Sequence, residues 1–165
     1  MKKLIAKELS SYRANELTNG FSLLEILMVI SIVAILGTAG VGYYRNFAKN
    51  VEVKNFSRSL VSDLKYARSL STSGENSLKW GVHAVNGSDD YYELFSTPTT
   101  YADAGKSVTS TTTLPRGVSW TSPAESASKD IIFTRISGTT TADTLIINSE
   151  SGNTTVTVTS LGVVY

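Results

Sequence analysis

Residues 21–44 read FSLLEILMVISIVAILGTAGVGYY, apolar throughout except for one carboxylate, Glu25. Residues 26–44 carry no charge at all. At about 1.5 Å of rise per residue, a helix of this length crosses the roughly 30 Å hydrocarbon core of a bilayer. The stretch is therefore a transmembrane helix candidate, and everything else in the chain must be arranged around it. Before it stands a polar leader, residues 1–20, carrying Lys2, Lys3, Lys7 and Arg13 and ending in Asn19-Gly20, a pair that continues a helix poorly.

A secretory signal would place its small-residue cleavage site after the apolar run. Here the junction that suits cleavage, Gly20/Phe21, precedes the run, so a cut would leave the anchor on the mature chain. Phe21 would become the new amino terminus. Glu25 would be the fifth residue, about 6 Å further along the helix. A carboxylate carried into hydrocarbon needs a cationic partner or must be neutralised. In a stack of identical helices that partner is a neighbour's α-amino group on Phe21. Glu25 near the helix start also complements the macrodipole. An ordinary single-pass anchor would account for the apolar run but not for the carboxylate placed inside it.

Gly20-Phe21-Ser22-Leu23-Leu24-Glu25, followed by the apolar span, resembles the class III signal of type IV pilins and type II secretion pseudopilins. The resemblance implies cleavage after Gly20 and N-methylation of Phe21 by a membrane prepilin peptidase. It also implies assembly with copies of itself or other pilins on an inner-membrane platform, with Phe21 and Glu25 as the assembly residues. The chain would be a single-pass inner-membrane protein before assembly and part of an extracellular pilus or periplasmic pseudopilus after it. One departure is visible: many pilins carry a proline near the position of Gly42, whereas this chain has Gly37, Gly40 and Gly42. Each glycine weakens a helix by about 1 kcal/mol relative to alanine, which permits local melting without a proline kink.

The amphipathic pattern continues past Tyr44. Phe47, Val51 or Val53, Phe56, Leu60, Leu64, Ala67 and Leu70 recur at spacings of three and four. The pattern stops at Ser71-Thr72-Ser73-Gly74, where glycine suits the left-handed position after a helix. One helix of residues 21–73 is expected. After Gly74 the texture turns to Thr, Ser, Val and aromatics, with strands expected at 78–85, 91–97, 108–114, 118–121, 130–135, 143–148 and 154–165. Turn residues at 86–90 and 149–153 make hairpins of the first and last strand pairs. Alternation in the last strand breaks at Ser160-Leu161-Gly162, which suggests a bulge.

The expected fold class is thus α+β, a pilin fold: a long N-terminal helix packed on one antiparallel sheet. The expected divisions are a cleaved leader 1–20, a transmembrane and filament-core helix 21–44, its amphipathic half 45–73, and a β-rich head 74–165. The helix end Leu60-Val61-Ser62-Asp63-Leu64-Lys65-Tyr66-Ala67-Arg68-Ser69, the strand Ile131-Ile132-Phe133 and the closing hairpin are similar to the GspH/FimT-like group of minor pseudopilins and minor pilins.

Net charge is +1, which hides a division: residues 44–70 hold six basic and two acidic side chains, and residues 75–165 hold five and nine. Complementary subunit packing would use a basic stem and an acidic head, although two solvated faces would look the same. There is no cysteine, so no disulfide can staple the C terminus as in many pilins of Gram-negative bacteria. Strand pairing must hold it.

No catalytic constellation emerges, and no cofactor is implied. His83, the single histidine, sits in an alternating strand and reads as an ordinary strand residue. Asp89, Asp90 and Glu93 could offer oxygens to Ca²⁺ in a turn, but without EF-hand spacing they read as a solvated acidic turn. The tail 154–165 has no Lys or Arg and the head is acidic, which opposes nucleic-acid binding. Sequons stand at Asn86 and Asn153, and the Ser/Thr run 107–113 reads as a solvated edge strand. The function expected is a structural subunit of a type IV pilus or pilus-like filament. The other reading is a minor pseudopilin or minor pilin at a filament tip, acting as initiator or binding module in type II secretion or DNA uptake.

Overall fold

The computed structural model describes residues 20–150 and 152–165, with 39–41 described by their backbone alone. The leader, Gly20 excepted, lies outside the described residues. The chain divides between Arg45 and Asn46 into two compact units.

Helix α1, Leu23–Ser73, follows the long hydrophobic pattern. Its first backbone bond runs from the Ile26 amide to the Ser22 carbonyl at 3.1 Å, and Glu25 lies in the first turn, where negative charge suits the macrodipole. At the other end Gly74 takes a φ of 71°, and its amide bonds the Ser71 carbonyl at 3.2 Å. Ser/Thr hydroxyls fold back onto the last turn, Thr72 Oγ1 onto the Arg68 carbonyl at 3.0 Å and Ser73 Oγ onto the Leu70 carbonyl at 2.9 Å. A short 3₁₀ turn, Glu75–Ser77, leads into the strands.

Seven strands follow: β1 Lys79–Val85, β2 Tyr91–Thr97, β3 Ser107–Thr113, β4 Val118–Ser122, β5 Ser128–Phe133, β6 Asp143–Ser149 and β7 Gly152–Val158. They form two antiparallel sheets rather than the single sheet expected, in the orders β3-β2-β1-β5 and β4-β6-β7. The turn between β1 and β2 ties the second sheet to the first. Asn86 Nδ2 donates to the carbonyls of Trp120 (3.0 Å) and Pro123 (2.9 Å), and Asp90 Oδ2 accepts the Trp120 amide at 3.2 Å.

Both sheets pack on one stripe of α1. Val53, Phe56, Leu60, Leu64 and Ala67 are buried in one cluster. Trp80, Val82, Tyr92, Leu94, Ile131 and Phe133 come to it from the first sheet, and Trp120, Leu145, Ile147, Val156 and Val158 from the second. The stripe starts later than its periodicity suggests. Phe47 is 66% exposed, and of the two valines Val53 is the one inside. Phe56 meets Tyr92 and Trp120 edge-on at centroid distances of 5.7 and 6.1 Å, so one ring contacts both sheets.

The C terminus corrects two expectations. The last strand stops at Val158, and residues 159–162 form a reversing turn instead of a bulge, with Gly162 at φ 73° and its amide bonded to the Thr159 carbonyl. The final residues then pair back on β7, with Thr157 and Tyr165 exchanging backbone bonds at 2.9 and 3.1 Å. The reversal changes the phase of alternation, so Val164 is buried while Leu161, Val163 and Tyr165 face solvent.

Candidate assembly surface

The N-terminal part of α1 exposes its apolar side chains all round. Phe21, Leu23, Leu24, Ile26, Leu27, Met28, Val29, Ile30, Ile32, Val33, Ile35 and Leu36 are each at least half exposed. The polar groups in this stretch are spent locally, Ser31 Oγ on the Leu27 carbonyl at 2.7 Å and Thr38 Oγ1 on that of Ile35 at 2.9 Å, so the helix offers its surroundings almost no unsatisfied donors. Its length and composition are those of a membrane span. Glu25 is exposed on the first turn of this apolar surface, and Gly20 and Phe21 lie just before the first helical residue. The peptide between them is thus outside the helical ladder.

A cluster of titratable side chains lies on the face of the first sheet away from α1. His83 Nδ1 pairs with Asp130 Oδ1 across the β1–β5 register. The ring of Tyr101, from the loop after β2, stacks on His83 at 3.5 Å with an interplanar angle of 7°. Its hydroxyl donates to Glu93 Oε2 at 2.5 Å, and Lys106 Nζ sits 3.6 Å from the ring centroid. Burial first, and then the bond to Glu93, push the Tyr101 phenol well above its ordinary range. Tyr92 shifts in the same direction for the same kind of reason, burial and then its 2.7 Å bond to Asp63 on α1. These polar atoms are spent on one another. The cluster latches loop 98–106 onto the sheet and assembles no nucleophile with a base.

Other expected features resolve in the same way. Asp90 and Glu93 are committed to Gly87, Trp120 and Tyr101, so the acidic turn does not converge on a cation site. Among the described residues no group of three His, Cys, Asp or Glu side chains could hold a metal ion. Of the two sequon asparagines, Asn86 is buried with its amide donating twice inside the fold, and Asn153 is exposed. The run Ser107–Thr113 is an exposed edge strand, its hydroxyl-rich sequence compatible with solvent on both faces. The sequence reading missed Tyr101, because a lone tyrosine in a turn-rich loop carries no periodic signal.

A long apolar helix entering a stripe that carries two small β-sheets is the pilin plan, and comparison with known families gives it a name. The family described as type II transport protein GspH matches residues 57–162, well over half of the chain. The chain belongs to the GspH family. No curated protein and no solved structure matches it. GspH is a family of structural pseudopilins rather than enzymes, and membership implies assembly into a filament with other pseudopilins. The matched span begins within the buried stripe of α1 and runs to the C-terminal turn. The exposed apolar segment lies outside it, so the family assignment and the anchor are independent observations. Together they fit an inner-membrane-anchored GspH pseudopilin.

Proposed function

We propose that this GspH chain is a minor pseudopilin of a type II secretion filament, held in the inner membrane by residues 21–44 until it is drawn into the filament. The observation that carries the reading is a GspH head in one chain with a helix whose apolar side chains are exposed among the described residues. A major pilus subunit has the same helix but no special claim to a GspH head, so the family favours the minor role. In this reading residues 1–20 are the leader, removed between Gly20 and Phe21. Phe21 is then N-methylated, residues 21–44 enter the filament core, residues 45–73 dock the head, and residues 74–165 form it.

Glu25 sets the register. Withdrawn from water among neighbouring helices, its carboxylate is stable only beside a cation. The amino group of a neighbour's Phe21 supplies that cation with the right reach. No chemistry is performed on a substrate; the work is assembly. The test is mass spectrometry of the mature protein from sheared filaments and from membranes. The expected result is an N-terminal methyl-Phe21 peptide, present in membranes and scarce beside the dominant filament subunit. Its abundance in sheared fibres would make the chain a major subunit instead, and an uncleaved leader everywhere would overturn the pseudopilin maturation. Glu25→Ala is expected to be inserted and cleaved normally yet to enter filaments poorly; normal incorporation refutes the charge pairing.

A further inference from the structure

The chain leaves β1 at Val85 and enters β2 at Tyr91 through a turn that opens on Asn86-Gly87. This is the single asparagine–glycine pair among residues 21–165. Such a pair has a chemistry of its own. The amide nitrogen that follows an asparagine can attack the side-chain carbonyl carbon, and glycine leaves the approach open because it has no Cβ. A bond forms between the Gly87 nitrogen and Asn86 Cγ, the Cγ–Nδ2 bond breaks, and ammonia departs with the proton that the Gly87 amide gives up. Water then opens the five-membered imide at either of its carbonyl–nitrogen bonds, leaving aspartate or isoaspartate at 86.

The fold opposes each part of that step. Asn86 is 8% exposed. Its Nδ2, the leaving group, donates to the carbonyls of Trp120 at 3.0 Å and Pro123 at 2.9 Å, which hold it toward β4. The Gly87 amide, the nucleophile, donates to Asp90 Oδ1 at 3.1 Å. Asp90 is itself anchored by the Trp120 amide at 3.2 Å, so it does not follow the Gly87 nitrogen out of the turn. The Asn86 amide is fixed as well, on the Ala127 carbonyl at 3.0 Å. Ring closure needs the side chain and the next peptide plane to swing toward each other, so these bonds must break first.

The product does not fit the same place. An ionised aspartate or isoaspartate at 86 has no donor to offer two carbonyl oxygens, and it sets a buried carboxylate against them. The bonds lost are those that tie the end of β4 to the β1–β2 turn, a link between the two sheets. Isoaspartate also inserts a methylene into the main chain beside the Val85–Tyr91 pair that closes the hairpin.

We infer that Asn86-Gly87 is a fold-gated deamidation site: the folded head preserves Asn86, whereas a head that stays unfolded converts it and loses the means to rejoin its two sheets. Water is the co-reactant and the release of ammonia makes the conversion one-way, so residue 86 records time spent unfolded. This chemistry belongs to the head and does not depend on the filament reading.

The test keeps the full detergent-solubilised chain in mildly alkaline buffer with and without urea, follows head folding by tryptophan fluorescence, and reads residue 86 by peptide mass spectrometry. Conversion slower by about a hundredfold in the folded chain is expected, since a reaction that passes through an opened state is scaled by the open fraction. Equal rates, or faster conversion in the folded chain with Asp90 acting as base, overturn the inference. Gly87→Ala isolates the chemistry. A Cβ at 87 meets nothing nearer than Val85 Cγ1 at 3.9 Å, so an unchanged melting temperature is expected while conversion in urea is largely lost. Undiminished conversion in that variant refutes the cyclisation. When a chain aged in urea is returned to native buffer, the refolded fraction is expected to retain Asn86 and the unfolded fraction to hold the converted residue; an even distribution refutes the loss of refolding.

Discussion

Replacing Phe56 by alanine removes a ring of α1 that meets an aromatic from each sheet. Phe56 is 6% exposed and contacts Tyr92 of β2 and Trp120 of β4 edge-to-face. Truncating a buried phenylalanine costs about 3–5 kcal/mol when the site cannot collapse. Collapse is opposed here, because Tyr92 is tethered to Asp63 and Trp120 to the Asn86 turn. The upper half of that range, about 4–5 kcal/mol, is therefore expected, a large share of the roughly 5–15 kcal/mol that holds a domain together. For a head of this size each kcal/mol moves the melting temperature by ~3–5 °C, so a fall of about 12–25 °C is expected. Both tryptophans, Trp80 and Trp120, lie in the head. Selectively excited tryptophan fluorescence of the detergent-solubilised chain therefore reports head unfolding without interference from residues 21–44. Phe47→Ala is the internal control, since Phe47 is 66% exposed and surface changes of this kind stay within about 0.5 kcal/mol. Equal shifts for the two variants would refute the idea that Phe56 joins the sheets to the helix.

Gly81→Ala, in the middle of the central strand β1, would drive a Cβ into the Ile131 carbonyl oxygen and to 3.0 Å from Ile132 Cα. Because the obstacle is backbone, a loss of about 1–3 kcal/mol or more is expected in denaturant melts, and a neutral result would show that β5 can move away from β1. The head should also lose stability in alkali. Tyr92 and Tyr101 are held neutral above their ordinary value of 10.0, so below that value they favour neither state, and as pH rises past it the unfolded chain sheds protons that the folded chain retains. Melting temperature is expected to fall between pH 9 and 11 (approximate bounds around the phenol range), with a shallower slope in Tyr92→Phe. An identical slope would mean that Tyr92 is not linked to unfolding.

The sequence made the helix and the hairpins legible for local reasons. Apolar spacing fixed the face of α1, Gly74 marked its end, and the Asn86-to-Asp90 turn set the β1–β2 pair. The division into two sheets was not legible, because period-two alternation says which side chains face inward but not which strand lies alongside. That choice is made by non-local bonds, above all Asn86 to Trp120 and Pro123. The inward residue of the tail was hidden in a similar way: a turn at Gly162 and a bulge leave nearly the same sequence trace, yet only the turn buries Val164. Gly20, Phe21 and Glu25 stood out as a pattern, and the structure adds their position at the start of the helix. Ile136 could not be read at all, since isoleucine argues against the left-handed conformation it adopts.

Apolar surface in this chain falls into two kinds. The cluster around Leu60 and Leu64 is closed by the chain's own sheets, and its energetics are those of any small domain. Residues 21–36, Ile136 and Leu161 are exposed among the described residues. A bilayer can cover the first of these, and lipid tails do so without choosing a partner. In the filament reading proposed above, such a helix would account for membership but not for order. Order requires a contact with chemical selectivity, which the uniform packing of apolar helices does not supply.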